Sequence, residues 1–197
     1  ALAAAEILAD MTKRRGVFFA LPTQATSDGI FPRMLDWISH LDSEDPQSVR
    51  LVHGKAHHNE TFRNLAYASN IDVDGEIGAY VHEWFTGRKR AILDDFVAGT
   101  IDQLLMAALK QKHVMLRHLG LANKVVIIDE CHAYDAYMNC YLERTLNWLG
   151  MYEVPVIVMS ATLPGEKRQM IVDAYCGRSF RPVNSRKVKN PFEPASN

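Results

Sequence analysis

The stretch KVVIIDECH (Lys124–His132) joins a run of apolar, mostly β-branched residues to two adjacent carboxylates and an imidazole. Such a continuous apolar run is typical of a strand that is buried on both faces of a parallel sheet. Four more runs of strand length share this composition: Gly16–Leu21, Val49–Val52, Phe96–Gly99 and Pro155–Ser160. Stretches with apolar residues at three- and four-residue spacing separate most of them and indicate helices. The alternation predicts an α/β fold, a mostly parallel sheet with helices on both faces.

The composition is that of a globular protein and excludes several classes. The 197 residues carry 22 Lys and Arg against 23 Asp and Glu, and 48% of them are hydrophobic. Cys131, Cys140 and Cys176 are an odd number without a CxxC pair, which excludes a disulfide-stapled module and favours a reducing, cytoplasmic setting. Since no apolar run reaches the roughly 18 residues that a membrane span requires, we expect no membrane partner.

Polar side chains follow four of the five predicted strands. In open parallel sheets, ligands bind beyond the carboxyl ends of the strands, so these side chains indicate a site. The residues concerned are Thr23 after the first strand, Thr100 after the third, Asp129, Glu130 and His132 after the fourth, and Ser160 and Thr162 at the end of the fifth. Taken singly, each hydroxyl or carboxylate is better explained by a cap on the following helix. Four such strand ends together favour a common polar rim.

Asp129 and Glu130 are the most informative residues of this rim. Two adjacent carboxylates at the end of a buried strand repel each other and lose hydration, which is costly unless a cation or a proton transfer uses them. Mg²⁺ suits the pair because it takes oxygen ligands and is typically held by one or two carboxylates and substrate phosphates. The second carboxylate is then able to deprotonate an attacking water in phosphoryl transfer.

DECH (Asp129–His132), followed one helix and one strand later by SAT (Ser160–Thr162), resembles motifs II and III of superfamily 2 helicases. The surrounding sequence narrows the resemblance to the CRISPR-associated helicase-nuclease that is the signature effector of type I systems. The stretches that carry it are ALPTQATSDGIF (Ala20–Phe31), LVHGKA (Leu51–Ala56), GTIDQLL (Gly99–Leu105), Lys112–Met138 and PVIVMSATLP (Pro155–Pro164). The resemblance covers nearly the whole chain and is weakest in Leu65–Gly87, which we interpret as a loop or an insertion.

The resemblance implies a RecA-like P-loop NTPase fold with ATP and Mg²⁺ as cofactors. It makes Asp129 the Walker B carboxylate that holds Mg²⁺ through water, and Glu130 the general base of ATP hydrolysis. His132 is placed between the nucleotide site and the DNA path. The remaining positions that match the family have two roles: Ser160 and Thr162 link hydrolysis to domain movement, and Thr23 and Thr100 contact the backbone of single-stranded DNA.

The same resemblance implies that parts of the parent enzyme are missing. The sequence contains no Gly-Lys-Ser/Thr phosphate loop, and in the family that loop and its strand precede a helix similar to Ala1–Lys13. We therefore expect residues 1–177 to be a partial first helicase lobe and residues 178–197 to be a basic linker toward a second lobe. The second lobe and the nuclease domain are absent. The isolated chain is expected neither to hydrolyse ATP nor to unwind or cut DNA.

Other interpretations remain open at the level of sequence. The implied partners are single-stranded DNA and a CRISPR RNA-guided surveillance complex, whereas a naturally shortened protein would be a nucleic-acid or protein interaction module without ATPase activity. A lobe of another superfamily 2 helicase that acts on RNA is a third interpretation. Lys55 and Arg88–Arg90 either extend a nucleic-acid track or form a solvated basic surface. HGKAHH (His53–His58) has no cysteine or acid at ligand spacing, so we assign it to an exposed helix start and not to a metal site.

Overall fold

The computed structural model describes residues 1–41, 47–71, 79–81 and 90–178. The helices are α1 (Leu2–Thr12), α2 (Gln24–Ile38), α3 (Glu60–Ile71), α4 (Ile101–Leu105), α5 (Val114–Ala122), α6 (Ala136–Met151) and α7 (Gly165–Tyr175). The strands are β1 (Gly16–Leu21), β2 (Gln47–Val52), β3 (Ala79–Tyr80), β4 (Phe96–Thr100), β5 (Lys124–Ile128) and β6 (Val156–Val158). Short 3-10 turns join several of these elements.

The six strands form one parallel sheet in the order β3-β2-β4-β1-β5-β6. All five predicted strands are present, and β3 is an additional one. Because β4 pairs with β1 and β2, and β5 pairs with β1 and β6, the chain repeatedly crosses over the sheet through helices. The α/β prediction, including its RecA-like sheet with helices on both faces, is confirmed.

Alternate residues of the central strands enter two separate cores. On one face, the side chains of Phe18, Val126 and Ile128 pack with apolar residues of α4, α6 and α7. On the other face, the side chains of Phe19 and Ile127 pack with apolar residues of α1 and α2. β1, β4 and β5 are buried along their whole length, which explains their unbroken apolar sequence. Since both faces are covered, the chemistry is confined to the strand ends.

The interpretation of Leu65–Gly87 as a loop or insertion is wrong at two places. Residues 65–71 continue α3, whose Phe62 and Leu65 pack against the core on the α2 side of the sheet. Ala79–Tyr80 pairs with the start of β2 as an edge strand. Residues 72–78 and 82–87 of this region, the basic residues Arg88 and Lys89, and residues 179–197 of the predicted linker lie outside the described residues. Among the described helices, none combines the length and apolarity needed to cross a membrane.

Gly150 lies where α6 meets α7, and a side chain there has no room. A Cβ atom at Gly150 would come 1.9 Å from the carbonyl oxygen of Tyr175, whereas one at Gly29 in α2 would meet nothing within 4 Å. We expect Gly150→Ala to lower the free energy of unfolding by about 1–3 kcal/mol, because the two helix backbones must separate. Gly29→Ala should raise it by about 0.5–1 kcal/mol through the higher helix propensity of alanine. Urea denaturation of both variants measures the two changes in the free energy of unfolding. Equal changes would contradict the close contact between α6 and α7 at Gly150.

Lys124 is buried at the amino end of β5. Its ammonium group donates to the carbonyl oxygens of Ile92 at 3.1 Å and Gly120 at 2.5 Å. Burial lowers the pKa of Lys124 from 10.5 to about 8, although Asp95 and Asp94 act in the opposite direction. The unfolded chain keeps this proton up to pH 10.5, so the native state gains stability as the pH rises from 8 toward 10.5.

This linkage predicts a difference between the wild type and Lys124→Met. From pH 8 to pH 10, the free energy of unfolding of the wild type should rise by about 2 kcal/mol relative to the variant, since one pKa unit corresponds to about 1.4 kcal/mol. Other titrating groups act on both proteins alike and cancel in the difference. Denaturation curves at several pH values measure it. A constant or falling difference would contradict a pKa of Lys124 that is lower in the native state than in the unfolded chain.

Candidate functional site at the carboxyl edge of the sheet

The strand register places the predicted rim residues along one edge. Leu21 pairs with Thr100, and Ala20 pairs with Ile128, so Asp129 is the next residue beside Leu21. The amide of Asp129 donates to the carbonyl oxygen of Ala20 at 3.0 Å, which continues the strand ladder by one residue. Neighbouring strands lie about 4.8 Å apart, so the backbones of Thr100 and Asp129 are separated by roughly 10 Å. The edge therefore has one half at β5 and β6 and another at β1, β4 and β2.

Asp129 and Glu130 make a sharp turn at the end of β5. Glu130 has φ 55°, in the left-handed region that a glutamate occupies only at a cost. Its amide donates to Oδ1 of Asp129 at 2.9 Å. The hydroxyl of Tyr134 donates to the carbonyl oxygen of Asp129 at 2.9 Å, and burial raises the pKa of Tyr134, which keeps that donor protonated. The turn directs the two carboxylates differently although they are adjacent in sequence.

His132 connects this turn to the segment that follows β6. The Ser160 hydroxyl donates to the carbonyl oxygen of Thr162 at 2.8 Å, so its contact with Nδ1 of His132 at 3.0 Å requires a proton on that nitrogen. Nε2 of His132 lies 3.3 Å from Oε2 of Glu130. That second contact is attractive when the ring carries both protons. Glu130, His132, Ser160 and Thr162 thus form one chain of contacts, and Thr162 takes part through its backbone carbonyl.

Thr23 and Thr100 occupy the other half of the edge in different ways. Thr23 is exposed and caps α2: its Oγ1 accepts from the amide of Thr26, whose own Oγ1 accepts from the amide of Thr23, both at 3.1 Å. Thr100 precedes α4 without a hydrogen bond from its hydroxyl to that helix, and it is only 7% exposed. The helix-cap explanation therefore holds for Thr23.

Sequence reasoning missed two polar features of this edge. Lys167 of α7 donates to the carbonyl oxygen of Cys131 at 2.5 Å and lies 5.6 Å from the centre of the Tyr134 ring, so it supports the turn after β5. His53 after β2 is buried and contacts Asp28 of α2, whereas we had expected an exposed helix start. Neither contact follows from a local motif, because its partners are far apart in sequence.

The Asp129 carboxylate fits the magnesium ion that the resemblance implies. Oδ1 of Asp129 accepts one amide hydrogen, and no lysine or arginine of the described ranges forms an ion pair with Asp129 or Glu130. The charge of the pair is thus not neutralised by a lysine or arginine of the described residues. Mg²⁺ binds oxygen ligands, and one or two protein carboxylates suffice when substrate phosphates and water complete its coordination. The described part of the chain has no group of three or more metal-ligating side chains that would form an all-protein cage.

Comparison with known proteins relates the chain to long enzymes. No protein-family model matches it. It is 51% identical over 179 residues to the CRISPR-associated nuclease/helicase Cas3 of Streptococcus thermophilus, covering 89% of this chain and 19% of that relative. It is 39% identical over 166 residues to the CRISPR-associated endonuclease/helicase Cas3 of Thermus thermophilus, covering 83% and 18%. The chain thus spans about a fifth of the length of the curated relatives that it matches.

Solved structures agree with the sequence relatives. The Cas3-ADP structure of T. fusca superimposes with a TM-score of 0.77 at 38% identity, over 91% of this chain and 20% of that chain. A CRISPR RNA-guided surveillance complex in a pre-nicking state contains a chain that matches with a TM-score of 0.61 at 36% identity, over 89% of this chain and 15% of that one. By sequence and by fold, this chain belongs to the CRISPR-associated nuclease/helicase family.

Proposed function

We propose that this chain is part of an ATP-dependent motor that moves along single-stranded DNA in CRISPR interference, an antiviral defence. The observation that carries the proposal is the chain of contacts from Glu130 through His132 and Ser160 to Thr162, at the same edge as Thr23 and Thr100. Nucleotide binding is supported by the related T. fusca protein, whose structures are described with ADP, AMPPNP and ATP.

In this proposal, each half of the edge has one task. When bound, ATP supplies the reactive phosphate, and Mg²⁺ supplies positive charge that neutralises the phosphate oxygens. Asp129 holds the ion through water, and Glu130 takes a proton from the attacking water at its carboxylate. His132, in contact with both Glu130 and Ser160, transmits the state of the base to the Ser160–Thr162 segment and to domain movement. Thr23 and Thr100 hold the phosphodiester backbone, which positions a strand without reading its bases.

The proposal extends to the organisation of the parent protein. Residues 1–177 act as part of the first helicase lobe, and residues 178–197 act as a basic linker to a second lobe. The phosphate loop, the second lobe and the nuclease domain come from the rest of a longer polypeptide, so the isolated chain neither hydrolyses ATP nor cuts DNA. The parent acts in the cytoplasm with a CRISPR RNA-guided surveillance complex, in line with the complex that contains a related chain.

A segment exchange tests the proposal in a complete enzyme. The chimera carries the matching segment of this chain in place of that of the Streptococcus thermophilus relative, to which it is 51% identical. We expect a folded chimera to hydrolyse ATP with Mg²⁺ and to do so faster when single-stranded DNA is added. The unaltered relative is the positive control. A folded chimera that binds single-stranded DNA without hydrolysing ATP would contradict the motor and favour the interaction module.

A further inference from the structure

A polar cluster of Asp28, His53 and Asn59 lies at the half of the edge formed by β1, β4 and β2, and none of the three residues has a role in the mechanism above. Nε2 of His53 lies 3.0 Å from Oδ1 of Asp28, and Nδ2 of Asn59 donates to the same oxygen at 2.8 Å. The His53 side chain is fully buried, and the Asp28 side chain is 39% exposed. Asp28 therefore joins α2, the segment after β2 and the start of α3 through one oxygen atom.

The protonation of His53 follows from its two partners. The amide of Lys55 donates to Nδ1 at 3.2 Å, so Nδ1 carries no proton. Nε2 then carries the hydrogen that it donates to Asp28. Asn59 is held from both sides as well, since its Oδ1 accepts from the amide of Phe62 in the first turn of α3 at 2.9 Å. Both ring nitrogens of His53 and both polar atoms of the Asn59 side chain thus have a partner, which fixes the backbone from His53 to Lys55.

This backbone lies beside the first turn of α2. A Cβ atom at Gly54 would be 3.5 Å from Nε2 of Gln24, the first residue of the helix. Val52 pairs with Gly99, so His53 follows at the level of Thr100 in the strand register. Lys55 is exposed next to this point. Helix amino termini and lysines are the groups that bind phosphate oxygens.

We propose that Asp28 is a positioning residue that holds Gly54 and Lys55 against the first turn of α2, so that Lys55 contacts a phosphate of the single-stranded nucleic acid. This inference rests on the proposed function and adds to it a specific contact and the residue that organises it. Asp28 acts through His53 and does not touch the strand. A carboxylate near a polyanion repels it, so the charge of Asp28 alone would weaken binding of the nucleic acid. Under this proposal Asp28 strengthens that binding.

The sign of the effect gives the test. Binding of a fluorescein-labelled oligothymidylate of about 20 nucleotides to the 197-residue chain is measured by anisotropy at several salt concentrations. We expect Asp28→Ala to weaken binding roughly tenfold, because a hydrogen bond to a charged group is lost at the phosphate. Asp28→Asn should retain binding, since its side-chain oxygen still accepts from His53 and Asn59. Asp36→Ala, which removes an exposed carboxylate from the same helix, is the matched control and should leave binding unchanged or strengthen it.

Two further readouts separate positioning from loss of stability. Affinity falls as salt rises, and Asp28→Ala and Lys55→Ala should each make this dependence shallower. The magnitude of the slope of log K against log salt should decrease by about 0.7, the value for one phosphate of a single strand. The double variant should lose no more than Lys55→Ala alone, since both changes remove the same contact. Tighter binding by Asp28→Ala, or additive losses in the double variant, would overturn the inference. If the wild-type chain binds no oligonucleotide, then the proposed nucleic-acid function fails, and this inference fails with it.

Discussion

Glu130→Gln is expected to lower kcat for ATP hydrolysis by at least about 100-fold in the chimera, because a general base contributes about 10²–10⁴ to the rate. The amide keeps the shape of the side chain and removes its ability to take a proton. The affinity for Mg²⁺-ATP should change by less than about threefold, since the proposed ligand of the ion, Asp129, is unaltered. Phosphate release at saturating ATP and titration with a fluorescent nucleotide give the two quantities.

Glu153→Gln is the matched control for this prediction. Glu153 is exposed and has φ 54°, nearly the same backbone conformation as Glu130 with φ 55°, but it lies after α6 at the opposite end of the sheet. Its replacement removes the same charge from the same conformation and should leave kcat within about twofold. If both variants lose activity equally, the lower kcat of Glu130→Gln does not come from the loss of a general base. If Glu130→Gln retains full activity, Glu130 is not the base.

Asp94→Ala is expected to cost about 3–5 kcal/mol of the free energy of unfolding, since it removes one partner of a buried ion pair. Nε of Arg50 in β2 donates to Oδ2 of Asp94 at 2.6 Å, and the two side chains are 7% and 0% exposed. Burial raises the pKa of Asp94, while the hydrogen bond and charge of Arg50 act to lower it. The substitution leaves the guanidinium buried without this carboxylate. Chemical denaturation measures the loss.

A double replacement identifies the cause of that loss. Arg50→Met combined with Asp94→Leu removes both charges and keeps the volume apolar, so the double variant should be more stable than Asp94→Ala by at least about 2 kcal/mol. Asp36→Ala, which removes an exposed carboxylate, should change stability by less than about 0.5 kcal/mol. A loss below about 1 kcal/mol for Asp94→Ala would show that the pair contributes little to the fold.

The fold was predictable from the sequence wherever the strands are buried on both faces. β1, β4 and β5 are central in the sheet, so burial requires apolar residues throughout and leaves an unambiguous pattern. β3 has two residues and lies at the sheet edge, where such a pattern is not required. The amino-terminal part of α3 buries a narrow apolar face at Phe62 and Leu65, which its polar neighbours obscure in the sequence.

The site was predictable to the extent that it follows from strand order. Ligands of open parallel sheets bind beyond the carboxyl ends of the strands, and this rule predicts that Asp129, Ser160 and Thr23 lie at one edge. The prediction requires no knowledge of their contacts. The contact of His53 with Asp28 requires more, because α2 follows β1 whereas His53 follows β2, and β4 lies between those strands. The burial of Thr100 was also unpredictable, since it depends on how α4 leaves the sheet. Long-range packing decides these features, and one sequence does not encode them locally.

The most direct test of the motor is strand displacement by the chimera. A labelled strand is annealed to a longer strand that leaves a single-stranded tail, and its release is followed in a single turnover. We expect release with Mg²⁺ and ATP, none with a non-hydrolysable analogue, and none by the Glu130→Gln variant. Release that is independent of ATP, or hydrolysis stimulated by DNA without any release, would contradict an ATP-driven motor at this edge of the sheet.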